Sequence, residues 1–209
     1  MTIYTSSVQL TDLPDGFLEL NSNILTEQER SYAAAITDWL QQNEWRCGRI
    51  LLRYLVATAY DVPVSGITIH SLSIGQLVAE TPIGQVNVSH SRIPRMWVGA
   101  TTHTKAIGVD LVNVTDFPVD VDGVERGAED WASLEALAKL SARGLAWALS
   151  ADCYPLNGLI TDPDGDAYRV VSLRNLPPDV RAVLLGPGDL KWDVSVIDII
   201  SNINGGFNE

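Results

Sequence analysis

The sequence predicts an α+β protein of two lobes, and three features of the chain support this prediction. Segments 44–60 and 131–149 have the apolar periodicity of long helices. Short, β-branched and alternating segments accompany each of these helices. A break near residue 104 divides the 209 residues into halves of similar length. We therefore place an N-terminal lobe at 1–104 and a C-terminal lobe at 105–209, in a chain long enough to bury a core in each.

The first half is predicted to begin with a strand and turns, followed by two helices. Residues 1–24 contain short apolar pieces that favour a strand and turns. The segment 25–42 predicts a helix, because Thr26 and Glu29 have the spacing of a capping box before an apolar-periodic run. The segment 44–60 predicts a second helix, whose wide apolar surface indicates deep burial.

Three arginines of the second helix lie at i, i+3 and i+7 and therefore share one helical face. They are Arg46, Arg49 and Arg53. Arg49 and Arg53 are open to two interpretations: they extend to solvent from a buried helix, or they supply positive charge to bound phosphates.

The remaining elements are predicted as strands, one further helix and a hairpin. Strands are predicted at 66–73, 85–91, 96–103 and 105–114. A polar segment, 115–130, leads to the helix at 131–149; a hairpin then turns at 162–166, a closing strand follows at 191–200, and the tail is expected to fray.

Charge and composition exclude several classes of protein. The formal net charge of −12 argues against a nucleic-acid binder and against binding to an anionic membrane surface. No apolar run is long enough to span a bilayer, and MTIYTSSVQLTDLPDG lacks the features of a secretory signal. Cys47 and Cys153 have neither metal-site nor disulfide-framework spacing. We expect a cytoplasmic protein with reduced thiols.

Two carboxylates are candidates for a metal site. Asp110 ends the apolar part of the strand KAIGVDLV, and Glu135 lies on the following helix. If the two face each other, they suit Mg²⁺, which binds one or two protein carboxylates and leaves positions for substrate phosphates. In the alternative interpretation, Asp110 faces solvent beside a sheet edge. No His/Cys cluster indicates zinc.

The helix WASLEALAKL places three chemically distinct residues on one face. Trp131, Glu135 and Lys139 follow each other at intervals of four residues. An ordinary surface Glu–Lys pair beside a tryptophan anchor explains this pattern equally well when it is taken alone. Separately, Ser89 and His90 follow a strand-like run in the sequence SHS, where hydrogen-bond donors can hold a phosphate.

In their order along the chain, four segments resemble the 4′-phosphopantetheinyl transferase superfamily, of the single-chain Sfp-like type. They are CGRILLRYLV (47–56), IGQLVAETPIGQVNVSHS (74–91), AIGVDLVNV (106–114) and WASLEALAKL (131–140). The resemblance spans about residues 30 to 145. It implies two similar pseudo-symmetric lobes, each a long helix packed on a small antiparallel sheet.

The resemblance also implies an activity. Such enzymes transfer the phosphopantetheine arm of coenzyme A to a serine of an acyl or peptidyl carrier protein, with magnesium as cofactor. Asp110 and Glu135 match the metal ligands of the family, and Glu135 also matches the residue that helps to deprotonate the serine. Lys139 matches a catalytic residue at the pyrophosphate, and Ser89 and His90 match a phosphate-contacting pair. Joined lobes imply a monomer.

The chain departs from the family pattern at several positions. The expected lysines are replaced by Gln76 and Leu134, and only about 20 residues separate Asp110 from Trp131. The high negative charge also predicts repulsion of acidic carrier proteins. An alternative function therefore stays open: a divergent homologue that has lost the transfer and serves a biosynthetic pathway as an accessory, binding or differently catalytic protein.

Overall fold

The computed structural model describes residues 1–73, 76–121, 123–149, 158–189, 191 and 193–205. The strands are β1 (Thr2–Gln9), β2 (Thr68–Ser73), β3 (Gln76–Thr81), β4 (Gly84–Ile93), β5 (Met96–Thr102), β6 (Gly108–Asn113), β7 (Val119–Val121), β8 (Val124–Arg126), β9 (Leu159–Thr161), β10 (Ala167–Ser172), β11 (Val180–Pro187) and β12 (Asp193–Val196). The helices are α1 (Phe17–Leu20), α2 (Glu27–Ala35), α3 (Trp39–Tyr60), α4 (Ala128–Ser141), α5 (Leu145–Leu149) and α6 (Ile200–Gly205).

The strands form two main sheets and one short hairpin, so the predicted α+β class is confirmed. The first sheet has the order β12-β1-β5-β4-β3-β2, and the second has the order β6-β11-β10-β9. Within these sheets every pair is antiparallel except β1 with β12. The hairpin β7–β8 lies within the segment for which the sequence predicted only a polar connection.

Three apolar clusters show how the layers pack. The first joins α3 to the first sheet through residues such as Leu51 and Val88, and the second joins α4 to the second sheet through residues such as Leu137 and Val183. The third cluster lies between the sheets and combines residues of β1 and β5 with residues of β6 and β11. Successive residues of a strand point to opposite faces. β5 and β11 therefore each contribute to two clusters.

The helix boundaries differ from the predicted ones at two places. The helix predicted over 25–42 ends early, and α3 begins at Trp39 because the Asp38 side chain accepts a hydrogen bond from Gln41 N at 2.7 Å. The helix predicted over 131–149 is divided into α4 and α5, because Ala142 and Gly144 have positive φ angles of 59° and 81°.

Two local predictions are confirmed in detail. The capping box forms, since Glu29 N donates to Thr26 Oγ1 at 3.2 Å and Thr26 N donates to Glu29 Oε2 at 2.9 Å. The hairpin turn at 162–166 also forms, with Asp162 N donating to Asp166 O at 2.9 Å.

The last part of the chain returns to the first sheet. β12 pairs with β1, and α6 contacts α3. The predicted closing strand is therefore shorter than 191–200, and Ile200 begins a helix instead. Within the described residues, no helix has the length and apolar character needed to cross a bilayer. The boundary between lobes at residue 104 stays a prediction.

Helix α4 approaches β6 closely at Gly108. A Cβ atom on this glycine would lie 1.9 Å from the carbonyl oxygen of Ala136 and 3.1 Å from Leu140 Cβ. Only a glycine permits this distance. The contact sets how near the polar side of α4 lies to the strand that carries Asp110.

An alanine at position 108 would therefore push the backbone of β6 away from that of α4. We expect Gly108→Ala to lower the free energy of unfolding by ~1–3 kcal/mol, because the added methyl overpacks the interface. Urea denaturation measures this loss. Gly127→Ala is the matched control, since a Cβ there meets nothing closer than Asp130 Oδ2 at 3.8 Å. Equal stability of the two variants would contradict the close packing.

Candidate functional site

The polar stripe on α4 forms as the sequence predicted. Between residues 131 and 140, Trp131, Glu135 and Lys139 are partly exposed, while the other seven residues are buried. Trp131 packs against Phe117, with ring centroids 6.3 Å apart. The helix therefore turns one tryptophan, one acid and one base toward the same side, next to β6 and the end of β4.

Lys139 contacts both sheets. Its Nζ lies 2.6 Å from Asp110 Oδ1 and donates to Val109 O at 3.1 Å and to His90 O at 3.4 Å. Asp110 is 1% exposed, so the interpretation in which it faces solvent is wrong. A buried carboxylate needs a partner, and Lys139 supplies a charged one.

Two serines of the SHS segment attach β4 to β6. Ser91 Oγ donates to Asp110 Oδ1 at 2.8 Å, and Ser89 Oγ accepts from Val109 N at 3.0 Å. Ser89 is 2% exposed. Because strand side chains alternate, both serines face β6 while His90 faces the other way. The period-two spacing of the serines in the sequence indicates that they share one face of the strand, although no such prediction was made above.

The carboxyl group of Glu135 has an unusually high pKa. Its pKa is raised to about 7: burial is the largest cause, the charge of Asp110 acts in the same direction, and Lys139 opposes the shift. Hydrogen bonding with Asp110 also raises the pKa of Glu135, and hydrogen bonding with Trp131 lowers it. The two carboxyl groups are thus close enough to compete for one proton.

The donor set of this pair fits a hard divalent cation. Asp110 Oδ2 is buried and has no hydrogen-bond partner among the described residues. Asp110 and Glu135 together offer carboxylate oxygens, the ligand type that Mg²⁺ prefers. No group of three or more His, Cys, Asp or Glu side chains in the described ranges is arranged to hold a metal, so solvent or substrate oxygens would complete the coordination.

A cavity of about 760 Å³ opens beside this pair. Its walls come from α2, α3, β2, β3, β4 and α4. The lining residues are Thr26, Gln28, Glu29, Tyr32, Trp45, Arg49, Thr68, Ile69, His70, Ser71, Leu77, His90 and Lys139. Three of the residues predicted for the site, Arg49, His90 and Lys139, therefore share one cavity. The other predicted site residues, Asp110, Glu135, Ser89 and Arg53, are not among those that line it.

His90 lies against α3. A Cβ on Gly48 would lie 2.9 Å from His90 Cε1, and the Trp97 ring lies on another side at a centroid distance of 6.3 Å. The pKa of His90 is lowered to about 3: burial is the largest cause, and the charges of Lys139, Arg49 and Arg92 act in the same direction. The ring is neutral at neutral pH, and its Nδ1 has no hydrogen-bond partner within the described ranges.

Arg49 and Arg53, on one face of α3, have different surroundings. Arg53 is fully buried, and its guanidinium forms bonds of 3.2 and 2.5 Å to the two oxygens of Glu29. Arg49 lies at the cavity wall, where Nη2 donates to Ser71 Oγ at 3.0 Å and the guanidinium carbon lies 5.0 Å from the Trp45 ring centre. Burial lowers the pKa of Arg49, while Glu29 opposes the shift.

The two positions that differ from the family lysines also have different surroundings. Leu134 is fully buried in the core under α4. A lysine there would bury a charge rather than reach the cavity. Gln76 begins β3 next to Leu77, which lines the cavity. Gly75 and Cys153 lie outside the described residues.

No protein-family model matches the chain, and no curated protein matches it.

The shifted pKa of Glu135 leads to a pH prediction. The folded protein holds this proton more tightly than the unfolded chain, since the pKa rises from 4.5 to about 7. The stabilisation is fully present below the unfolded value and is lost as pH rises through the folded value. As pH rises from about 5 to about 8, the melting temperature of the original protein should therefore fall. We expect that of Glu135→Gln to fall less, because glutamine has no proton to lose.

Melting temperatures over this range, without metal, provide the measurement. Glu125→Gln is the control, because Glu125 is exposed on the β7–β8 hairpin. It should keep the original pH dependence. Identical pH profiles for Glu135→Gln and the original protein would show that Glu135 does not titrate near neutral pH.

Proposed function

We propose that the protein transfers the 4′-phosphopantetheine arm of coenzyme A to a serine of an acyl or peptidyl carrier protein, with magnesium. The observation that carries this proposal is the meeting of Asp110 and Glu135 with Lys139, which lines a cavity together with His90 and Arg49. The four-segment resemblance named this combination, and its members come from four different elements. Such a cavity has the size of a cofactor site.

The packing also supports two similar lobes in the sense of that family. Helix α3 covers the first sheet, which is antiparallel except for the β1–β12 pair, and helix α4 covers the antiparallel second sheet. The candidate site lies where β4 of the first sheet contacts β6 of the second. A site between two lobes is where ligand cavities commonly form.

Each residue of the site has a distinct task in the proposed reaction. Asp110 and Glu135 would hold Mg²⁺, which supplies neutralisation of the pyrophosphate charge when bound. Glu135 lies beside Asp110 and Lys139 and would accept the proton of the carrier serine, directly or through water. Lys139 and Arg49 present cationic donors to phosphate oxygens. Neutral His90 lines the same wall.

A second candidate function is a homologue that binds a ligand without transferring the arm. The ion pair between Lys139 and Asp110 favours it, because the carboxylate and the lysine already neutralise each other within the chain. The bonds of Arg53 to Glu29 act in the same direction. In that case, the protein would serve as an accessory or binding component of a biosynthetic pathway.

Intact mass spectrometry of carrier proteins separates the two functions. Apo acyl and peptidyl carrier proteins are incubated with this protein, coenzyme A and Mg²⁺. The transfer predicts a mass gain of one phosphopantetheine arm that disappears when the metal is chelated. No gain on any carrier, beside a transferase that modifies the same panel, would favour the second candidate.

A substitution at Asp110 tests the carboxylate pair directly. We expect Asp110→Asn to lower the transfer rate by at least about 100-fold, since it removes the charge that holds the cation while keeping the side-chain shape. Its binding of Mg²⁺ should weaken in calorimetry. Asp116→Asn, the same change at an exposed residue, is the control and should leave both quantities unchanged. Full activity of Asp110→Asn would contradict the metal assignment.

A further inference from the structure

The cavity has few positive charges. All 14 lysines and arginines of the chain lie in the described ranges, and only Arg49 and Lys139 are among the residues that line the cavity. Several of the others are bound elsewhere: Arg92 pairs with Glu44, Arg95 with Asp179, and Arg143 with Asp164.

Acidic groups lie beside both cations of the wall. Lys139 lies 2.6 Å from Asp110, and Arg49 lies 3.8 Å from Glu29, which itself lines the cavity. Glu29 also pairs with Arg53 at 2.5 Å, so its single negative charge compensates Arg49 only in part. His90 adds no charge at neutral pH, since its pKa is lowered to about 3, with burial as the largest cause. His70 lies 3.3 Å from Glu80. The wall therefore offers a phosphate few positive charges: Lys139, which Asp110 compensates, and Arg49, which Glu29 compensates in part.

Two aromatic side chains form part of the same cavity wall. Tyr32 and Trp45 both line the cavity, with ring centroids 4.9 Å apart and planes tilted by 38°. The Arg49 guanidinium lies over the Trp45 ring. Such rings bind the flat face of a nucleobase. The cavity thus suits an adenine nucleotide better than it suits a ligand with several separate phosphate groups.

We propose that the cavity has no subsite for a ribose 3′-phosphate, so that the protein uses dephospho-coenzyme A at least as well as coenzyme A. This inference rests on the proposed function. A phosphate monoester carries a charge of about −1.5 to −2 at neutral pH. Its usual protein partners are lysine and arginine. With Mg²⁺ and Lys139 at the diphosphate, Arg49 is the one cation left on the wall, and it is held by Glu29 and Ser71.

The chemistry of transfer is the same for both donors. A bond forms between the serine oxygen of the carrier and the phosphorus attached to pantetheine, while the anhydride bond of the diphosphate breaks. The serine proton leaves to the base. The leaving group is adenosine 5′-monophosphate from dephospho-coenzyme A and adenosine 3′,5′-bisphosphate from coenzyme A. The modified carrier gains the same mass in either case.

Two measurements test the inference. Calorimetry with Mg²⁺ compares the binding of coenzyme A and dephospho-coenzyme A, and a transfer assay compares kcat/KM for the two donors. We expect dephospho-coenzyme A to equal or exceed coenzyme A in both. A clear preference for coenzyme A would overturn the inference while leaving the proposed function intact. Binding of neither compound would overturn both.

A variant that adds the missing charge provides an independent test. Gln28 is exposed at the cavity wall. Gln28→Lys should tighten coenzyme A binding by about two- to fivefold, the range of a partly exposed ion pair, and change dephospho-coenzyme A binding less. Gln41→Lys adds the same charge at an exposed position outside the lining and should change neither. An equal gain for both donors in Gln28→Lys, or no gain, would contradict the inference.

Discussion

The geometry of the site depends on the contacts of one ammonium group, that of Lys139. It bonds to the Asp110 carboxylate and to the backbone oxygens of Val109 and His90. One side chain of α4 thereby joins strands from both main sheets. Charge-assisted hydrogen bonds of this kind are stronger than neutral ones. They also permit a carboxylate that is 1% exposed to stay between two sheets.

The other features of the site follow from this placement. Burial of Glu135, together with the charge of the neighbouring Asp110, raises the pKa of Glu135 to about 7. The serines at 89 and 91 align β4 with β6, so His90 turns to the cavity. The narrow space at Gly108 brings α4 close enough for the contact to form.

Differences in burial give Arg49 and Arg53 of α3 different roles. The sequence analysis left two interpretations open for both. Arg53 bonds to Glu29 and to the carbonyl oxygen of Ile67, so it joins α3 to α2 and to the chain before β2. Arg49, one turn earlier, reaches the cavity wall. Helical spacing alone cannot distinguish them, because residues four apart share a face but differ in what packs above them.

The sequence by itself determined features that depend on neighbouring residues. The stripe of Trp131, Glu135 and Lys139 follows from helical geometry, and the capping box of Thr26 and Glu29 follows from a three-residue spacing. Tertiary structure alone decided that Asp110 is buried, that Ser91 bonds to it, and that few charges reach the cavity. Ser91 and Lys139 lie 19 and 29 residues from Asp110 along the chain, and only the packing of two sheets and two helices sets the distances between them.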